Sequence, residues 1–156
     1  MKKQIRRSDS IRLTSNVTIE ICDAVTKRLL RREHYHNLVP LSGRNLVRDF
    51  LNGAVSVGTI THLAIGTGTA APTANDTALQ TEVFRDAVTK RTPDVGKLSI
   101  QYYLPSTAAN GNTLTEAGLF NAANGGTLVA RVTYQPIAKT ASLVITYTWD
   151  ILINAG

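Results

Sequence analysis

The stretch Leu143–Ile153, LVITYTWDILI, decides the fold class of this chain. Leu143, Ile145, Tyr147, Trp149, Ile151 and Ile153 share one parity, and Val144, Thr146, Thr148, Asp150 and Leu152 share the other. Strict alternation carried by β-branched and aromatic residues marks a strand with one buried face. The run is longer than a usual strand and holds the only tryptophan. It is predicted to be the central strand, with Tyr147, Trp149 and Ile151 in the core alongside Leu119 and Phe50.

Working outward, residues 10–14 and 17–22 alternate apolar and polar and read as two strands. Asp23–Thr26 supplies a turn, after which Lys27–Tyr35 returns as the second arm of a hairpin. Pro40-Leu41-Ser42-Gly43 opens one helix, with Ser42 as its cap, Gly53 as its stop and Leu46, Val47, Phe50 and Leu51 as its apolar stripe. Thr59–Ile65 is a further strand, followed by a loop of small residues. Asn75-Asp76 is placed to cap a short helical segment from Thr77 to Phe84. Strands then follow near 84–91, 97–104, 113–120 and 127–134, with Gly and Asn between them. This spacing predicts a mainly β fold: an antiparallel, jelly-roll-like β-sandwich with one short α-helix. Residues 1–9 form a basic N-terminal arm, and 10–156 a single domain.

A chain of 156 residues, 43% of them hydrophobic, is long enough for one substantial core. Its net charge of +6 is partly local, in MKKQIRR at the start and KRLLRRE at 27–33. Basic clusters of this kind meet nucleic acid, an acidic partner or an anionic surface, or simply face solvent. A single cysteine, Cys22, excludes an intramolecular disulfide framework. The polar run after the basic start argues against a secretion signal, and no stretch reads as a membrane span.

Few constellations suggest chemistry. Gly66-Thr67-Gly68-Thr69-Ala70-Ala71 fits the spacing of a dinucleotide fingerprint, but Pro72 and Asn75-Asp76 stand where a helix must open to meet the pyrophosphate. The reading is therefore a tight loop needing glycine dihedrals, with no cofactor. His34, His36 and His62 lack a carboxylate or cysteine at ligand spacing, so no metal is expected unless a symmetry axis brings copies together. Glu116 and Arg131 interrupt apolar runs that pair as a hairpin, which is costly unless the two form a structural ion pair. No nucleophile, base and orienting group converge, so the chain is not expected to be an enzyme.

Several blocks recur in a recognisable order. They are Asn37-Leu38-Val39 and Ser42-Gly43-Arg44, then Ile60–Gly68, Ala71-Pro72-Thr73 and Asp76-Thr77-Ala78-Leu79. Thr115–Phe120, Gly126–Arg131, Pro136-Ile137 with Lys139, and Trp149-Asp150-Ile151 follow. As an ordered set, from about 37 to 153, they resemble a family of small tailed-bacteriophage virion proteins, usually labelled structural or tail-fibre proteins. The resemblance implies a non-enzymatic virion subunit made and assembled in the host bacterial cytoplasm. It leaves open an adaptor in the tail, collar or baseplate and a decoration protein on the head.

Expected partners are the chain itself, as a trimer or ring, and other virion proteins, with no membrane. Lys2, Lys3, Arg6, Arg7, Ser10, Ile11, Arg12, Leu13 and Thr14 are candidates for an assembly arm that adds a strand to a neighbour. The weaker alternative is nucleic-acid binding by the basic clusters, against which no aromatic residues interleave with the charges.

Overall fold

The structure is a computed structural model that describes residues 10–54 and 58–155. Among the described residues nine strands and one helix follow in chain order: β1 (Ile11–Asp23), β2 (Leu29–His36), α1 (Leu41–Leu51), β3 (His62–Gly66), β4 (Glu82–Ala87), β5 (Lys90–Asp94), β6 (Lys97–Leu104), β7 (Thr113–Phe120), β8 (Leu128–Ala138) and β9 (Leu143–Ala155). They form two antiparallel sheets, ordered β2-β1-β9-β6-β5 and β4-β3-β7-β8. Strand β9 is the middle strand of its sheet, as its alternation predicts. Along its length Trp149 faces Val17 on one side and Ile100 on the other.

One core joins the two sheets: Val17, Ile19, Ile100, Tyr147 and Trp149 from one, and Leu63, Ile65, Leu119 and Val132 from the other. Trp149, Tyr147 and Leu119 are fully buried and Ile151 nearly so. Two features place strands where parity alone does not. The segments at 10–14 and 17–22 are one unbroken strand of 13 residues, because β9 offers a partner along its whole length. The run near 84–91 breaks at Val88-Thr89, where the chain leaves one sheet as β4 and joins the other as β5.

The first turn forms as expected. Asp23 Oδ1 accepts from the Val25 and Thr26 amides and the Thr26 hydroxyl, which pins the reversal between β1 and β2. At the other end of the fold, β2 leans on β8. Tyr35 Oη accepts from the Gln135 amide, and Arg31 donates to the Pro136 carbonyl.

Helix α1 departs from its sequence reading in three ways. Ser42 does not cap it: Pro40 is the N-cap, and the Ser42 hydroxyl donates outward to the carbonyls of Leu128 and Asp76. The buried residue of the helix is Gly43, where a Cβ would sit 2.2 Å from the Val129 carbonyl oxygen, so backbone packs on backbone. Because the first turn approaches β8 so closely, only Leu46 of the expected stripe tucks inward. Phe50, expected in the core, is 66% exposed, and Leu51 is 77% exposed. The stop is as expected: Gly53 at φ +76° lets its own amide and that of Ala54 close on the carbonyls of Phe50 and Asp49. The helical segment expected after Asn75-Asp76 is absent, and the chain runs there as an irregular loop into β4.

Tyr134 and Tyr147 meet across the core with their hydroxyls 3.0 Å apart. Tyr134 donates to the Glu116 carbonyl, so Tyr147 supplies the proton between them. Burial pushes both hydroxyls well above the ordinary tyrosine value of 10.0. A group whose folded value is raised stabilises the fold below its unfolded value and stops doing so above it. Thermal stability should therefore hold up to about pH 10 and fall steeply beyond. Tyrosinate absorbance should rise in the same transition that changes Trp149 fluorescence, and Tyr134→Phe should soften that fall.

Candidate functional site

The feature of the fold that packing alone does not account for is the buried carboxylate of Glu116 on β7. It is 0% exposed, and its bonds lead into the loop between β3 and β4. Oε1 accepts the Gly68 and Thr81 amides at 3.0 and 2.7 Å. Oε2 accepts the Gln80 amide at 3.1 Å and the Arg131 guanidinium through Nε and Nη2 at 3.0 and 2.8 Å. The expected ion pair is thus present, two-pronged and dry. Register explains why it forms: Gly118 stands opposite Arg131 and Glu116 opposite Thr133, so the two side chains lie diagonally on one face of the β7–β8 ladder.

Arg131 reaches further than its partner. Nη1 donates to Asp76 Oδ2 at 2.7 Å and Nη2 to the Ala70 carbonyl at 3.0 Å. Burial opposes the Arg131 charge, but bonding to Asp76 and Glu116 outweighs it and holds the guanidinium above its ordinary value. Burial likewise works against ionised Asp76. The Thr73 hydroxyl and amide and Arg131 outweigh it, so the carboxyl sits below the usual 3.8. Around this pair the loop stitches itself together: Gln80 Oε1 accepts the Thr69 and Ala70 amides, and the Thr115 hydroxyl donates to the Gly68 carbonyl.

The glycine pair at 66 and 68 now has a physical reason, and it is not the one the sequence suggests. Neither residue has a positive φ, so left-handed dihedrals are not at issue. A Cβ on Gly66 would lie 2.5 Å from Glu116 Oε1 and 2.4 Å from the Thr81 carbonyl oxygen. On Gly68 it would lie 2.4 Å from the same carboxylate oxygen. The loop is glycine-rich because a carboxylate presses against its backbone; that carboxylate takes the Gly68 amide, Gln80 takes those of Thr69 and Ala70, and the Thr81 carbonyl takes that of Thr67.

The other sequence candidates are dispersed. His34 Nδ1 lies 2.9 Å from Thr18 Oγ1, and His36 Nδ1 lies 2.6 Å from Asn16 Oδ1, both on the outer face of one sheet. His62 belongs to the other sheet. Among the described residues no group of three or more His, Cys, Asp or Glu is placed to hold a metal ion. Asp150 accepts from the Ser99 hydroxyl next to it on β6.

Of the basic hairpin, Arg31 pairs with Glu33, Arg32 with Glu20, and Lys27 donates to the Ala24 carbonyl. Much of that charge is therefore answered within the fold. Lys2, Lys3, Arg6 and Arg7 lie outside the described residues. Ile11–Thr14 pair in register with β9 of the same chain, from Ile11 opposite Ala155 to Thr14 opposite Leu152, so in this structure they complete their own sheet. Lys139, 1% exposed, donates to Asn110 Oδ1 and the Thr140 carbonyl, and burial pushes its pKa down. Its position in a polar turn after β8 gave no sign of that burial.

What this arrangement does chemically is hold a surface loop rigid. Removing one partner of a buried pair strands the other charge, at a cost of about 3–5 kcal/mol. Glu116→Ala should therefore unfold the protein at markedly lower urea, and the surface-pair variant Glu20→Ala should change stability by less than about 1 kcal/mol. Gly68→Ala should expose the 67–81 loop to protease while β9 stays protected. Asp76, with its value lowered, contributes stability that is complete above about pH 3.8 and disappears as the pH falls further. Asp76→Asn should flatten that acid limb in a thermal-melt series.

No protein family, curated protein or solved structure matches the chain, so what the site is for rests on its own geometry.

Proposed function

We propose that this protein is a non-enzymatic structural subunit of a tailed-bacteriophage virion, an adaptor in the tail, collar or baseplate that works through protein–protein contacts. A decoration role on the head is the second form of the same reading. The proposal takes in a jelly-roll-like use of the two-sheet body and association of copies into a trimer or ring. One observation supports it most: Leu41, Val47, Phe50 and Leu51 of α1 are exposed, on a helix whose first turn is bolted to β8. Fully burying such a side chain contributes roughly 1.5–3 kcal/mol, so leaving Phe50 and Leu51 largely in water forgoes a few kcal/mol. Val47, Phe50 and Leu51 fall at i, i+3 and i+4 on one face of the helix, and an exposed apolar face of this kind marks a contact site. The rigid 67–81 loop beside that first turn, joined to it by the Leu41 amide on the Ala74 carbonyl, supports a fixed docking platform rather than a catalytic one.

Mass spectrometry of purified virions should find the chain in stoichiometric copies, and native mass spectrometry should find it as a closed oligomer. The double variant Phe50→Ser, Leu51→Ser should keep its melting temperature and lose incorporation. A chain missing from particles, or a variant that incorporates normally, would overturn the reading.

A further inference from the structure

The five-stranded sheet treats its edges unequally. Strand β5 is exposed along its whole outer edge but carries Lys90, Arg91, Pro93 and Asp94, the charges and proline that discourage edge-to-edge pairing. Strand β2 carries Arg31, Arg32 and Glu33 and is tied to β8 by side chains. The first half of β1 has one charge, Arg12, no proline and no such tie. Its pairing with β2 ends at Asn16 opposite His36, and the last contact is the Asn37 amide on the Ser15 carbonyl at 3.3 Å. There the chain peels away, and Leu38 exchanges both main-chain bonds with Arg131 of β8 instead.

Main-chain groups alternate in direction along a strand, so Leu13 and Ile11 point the same way as the Ser15 carbonyl. On that side they have no hydrogen-bond partner among the described residues. An edge strand of this kind is a template for one more strand.

A cleft of about 410 Å³ opens where β2 leaves, lined by Leu13, Ser15, Asn37, Leu38 and Arg44 among others. Two buried polar atoms in its lining are unsatisfied. Ser15 is 4% exposed, and its hydroxyl has no hydrogen-bond partner; nor does Asn37 Oδ1. The Arg44 guanidinium, on α1, is in no hydrogen bond or ion pair among the described residues, and no carboxylate lines the cleft. Nearby on β1, Arg12 is exposed and also makes no ion pair among the described residues.

We propose that this edge accepts an extended, acidic segment of a different protein, which adds to the sheet in line with β2. Its main chain would bond to Leu13 and Ile11. Alternate side chains would enter the cleft, where a carboxylate meets Arg44 and the Ser15 hydroxyl. A second copy of this chain is a poor occupant, because edge-to-edge pairing would set Arg12 and Arg44 of one copy beside those of the other. This inference does not rest on the virion reading, since an open cationic edge selects an acidic strand in any assembly.

The test uses the full chain and two synthetic peptides of about eight residues, one alternating threonine, valine and glutamate, the other with lysine for each glutamate. Hydrogen exchange is followed at the Leu13 and Val17 amides. In the free chain Leu13 should exchange fast and Val17 slowly. The glutamate peptide should slow Leu13 by about tenfold or more, and the lysine peptide should not. Arg44→Glu should weaken the effect about tenfold, and added salt should weaken it too. Ile11→Pro, which removes one edge amide and leaves the Leu13 amide to be read, should weaken the effect too, and Arg44→Glu keeps the test sound if that variant folds poorly.

Failure of the glutamate peptide to slow Leu13, or equal action by both peptides, would overturn the proposal. So would a Leu13 amide already slow in the free chain. If that protection rises with protein concentration, the occupant is a second copy. If it vanishes on deleting residues 1–9, the occupant is the chain's own start.

Discussion

The pairing of Glu116 with Arg131 is the constraint on which the upper part of this fold depends. A buried ion pair is weak support for stability when desolvation of two charges is set against their attraction. Here the balance is altered because the carboxylate also collects three backbone amides and the guanidinium also binds Asp76 and the Ala70 carbonyl. A long loop without regular structure ordinarily leaves its polar groups to water. In this one several of them converge on a single dry centre. The sheets would have a core without the pair, but the loop would lose the centre on which its Gly68, Gln80 and Thr81 amides converge.

That centre also organises what lies around it. Arg131 sits on β8 with its amide and carbonyl bonded to Leu38, and Asp76 offers its carbonyl to Ser42 at the start of α1. The segment leaving β2, the first turn of the helix and the loop are therefore anchored to one short stretch of β8. Coupling of this kind explains why the helix is placed by its first turn rather than by its apolar stripe. Three contacts at Leu41, Ser42 and Gly43 set its position before Phe50 and Leu51 can seek cover.

Strand positions were legible because alternation is a local consequence of backbone geometry. The parity of Tyr147, Trp149 and Ile151 carries into burial without correction. The helix was legible in extent but not in orientation. Periodicity says which residues share a face, yet whether that face is covered depends on a close approach at Gly43 that has no sequence signature. For the same reason Phe50 read as core and is surface. The ion pair was legible, since two charges inside apolar runs need each other. Its loop ligands were not, because backbone amides carry no side-chain label. Glycines at 66 and 68 were the available sign, and their steric role against a carboxylate is indistinguishable in sequence from a need for unusual dihedrals.

The pattern of rigid and open parts is a further step in the same logic. At two places the fold leaves groups unanswered beside a segment that is firmly held. The exposed end of α1 follows a turn bonded to β8. The unpaired edge at Ile11–Ser15 backs onto β9, which pairs it residue by residue on the other side. Arg44 projects from the same anchored turn towards the cleft at that edge. A binding group held rigid before its partner arrives loses little conformational freedom on association, which lowers the cost of binding even where the contact area is modest. The fixed backing behind both the helix face and the strand edge is what would let either meet a partner at low entropic cost.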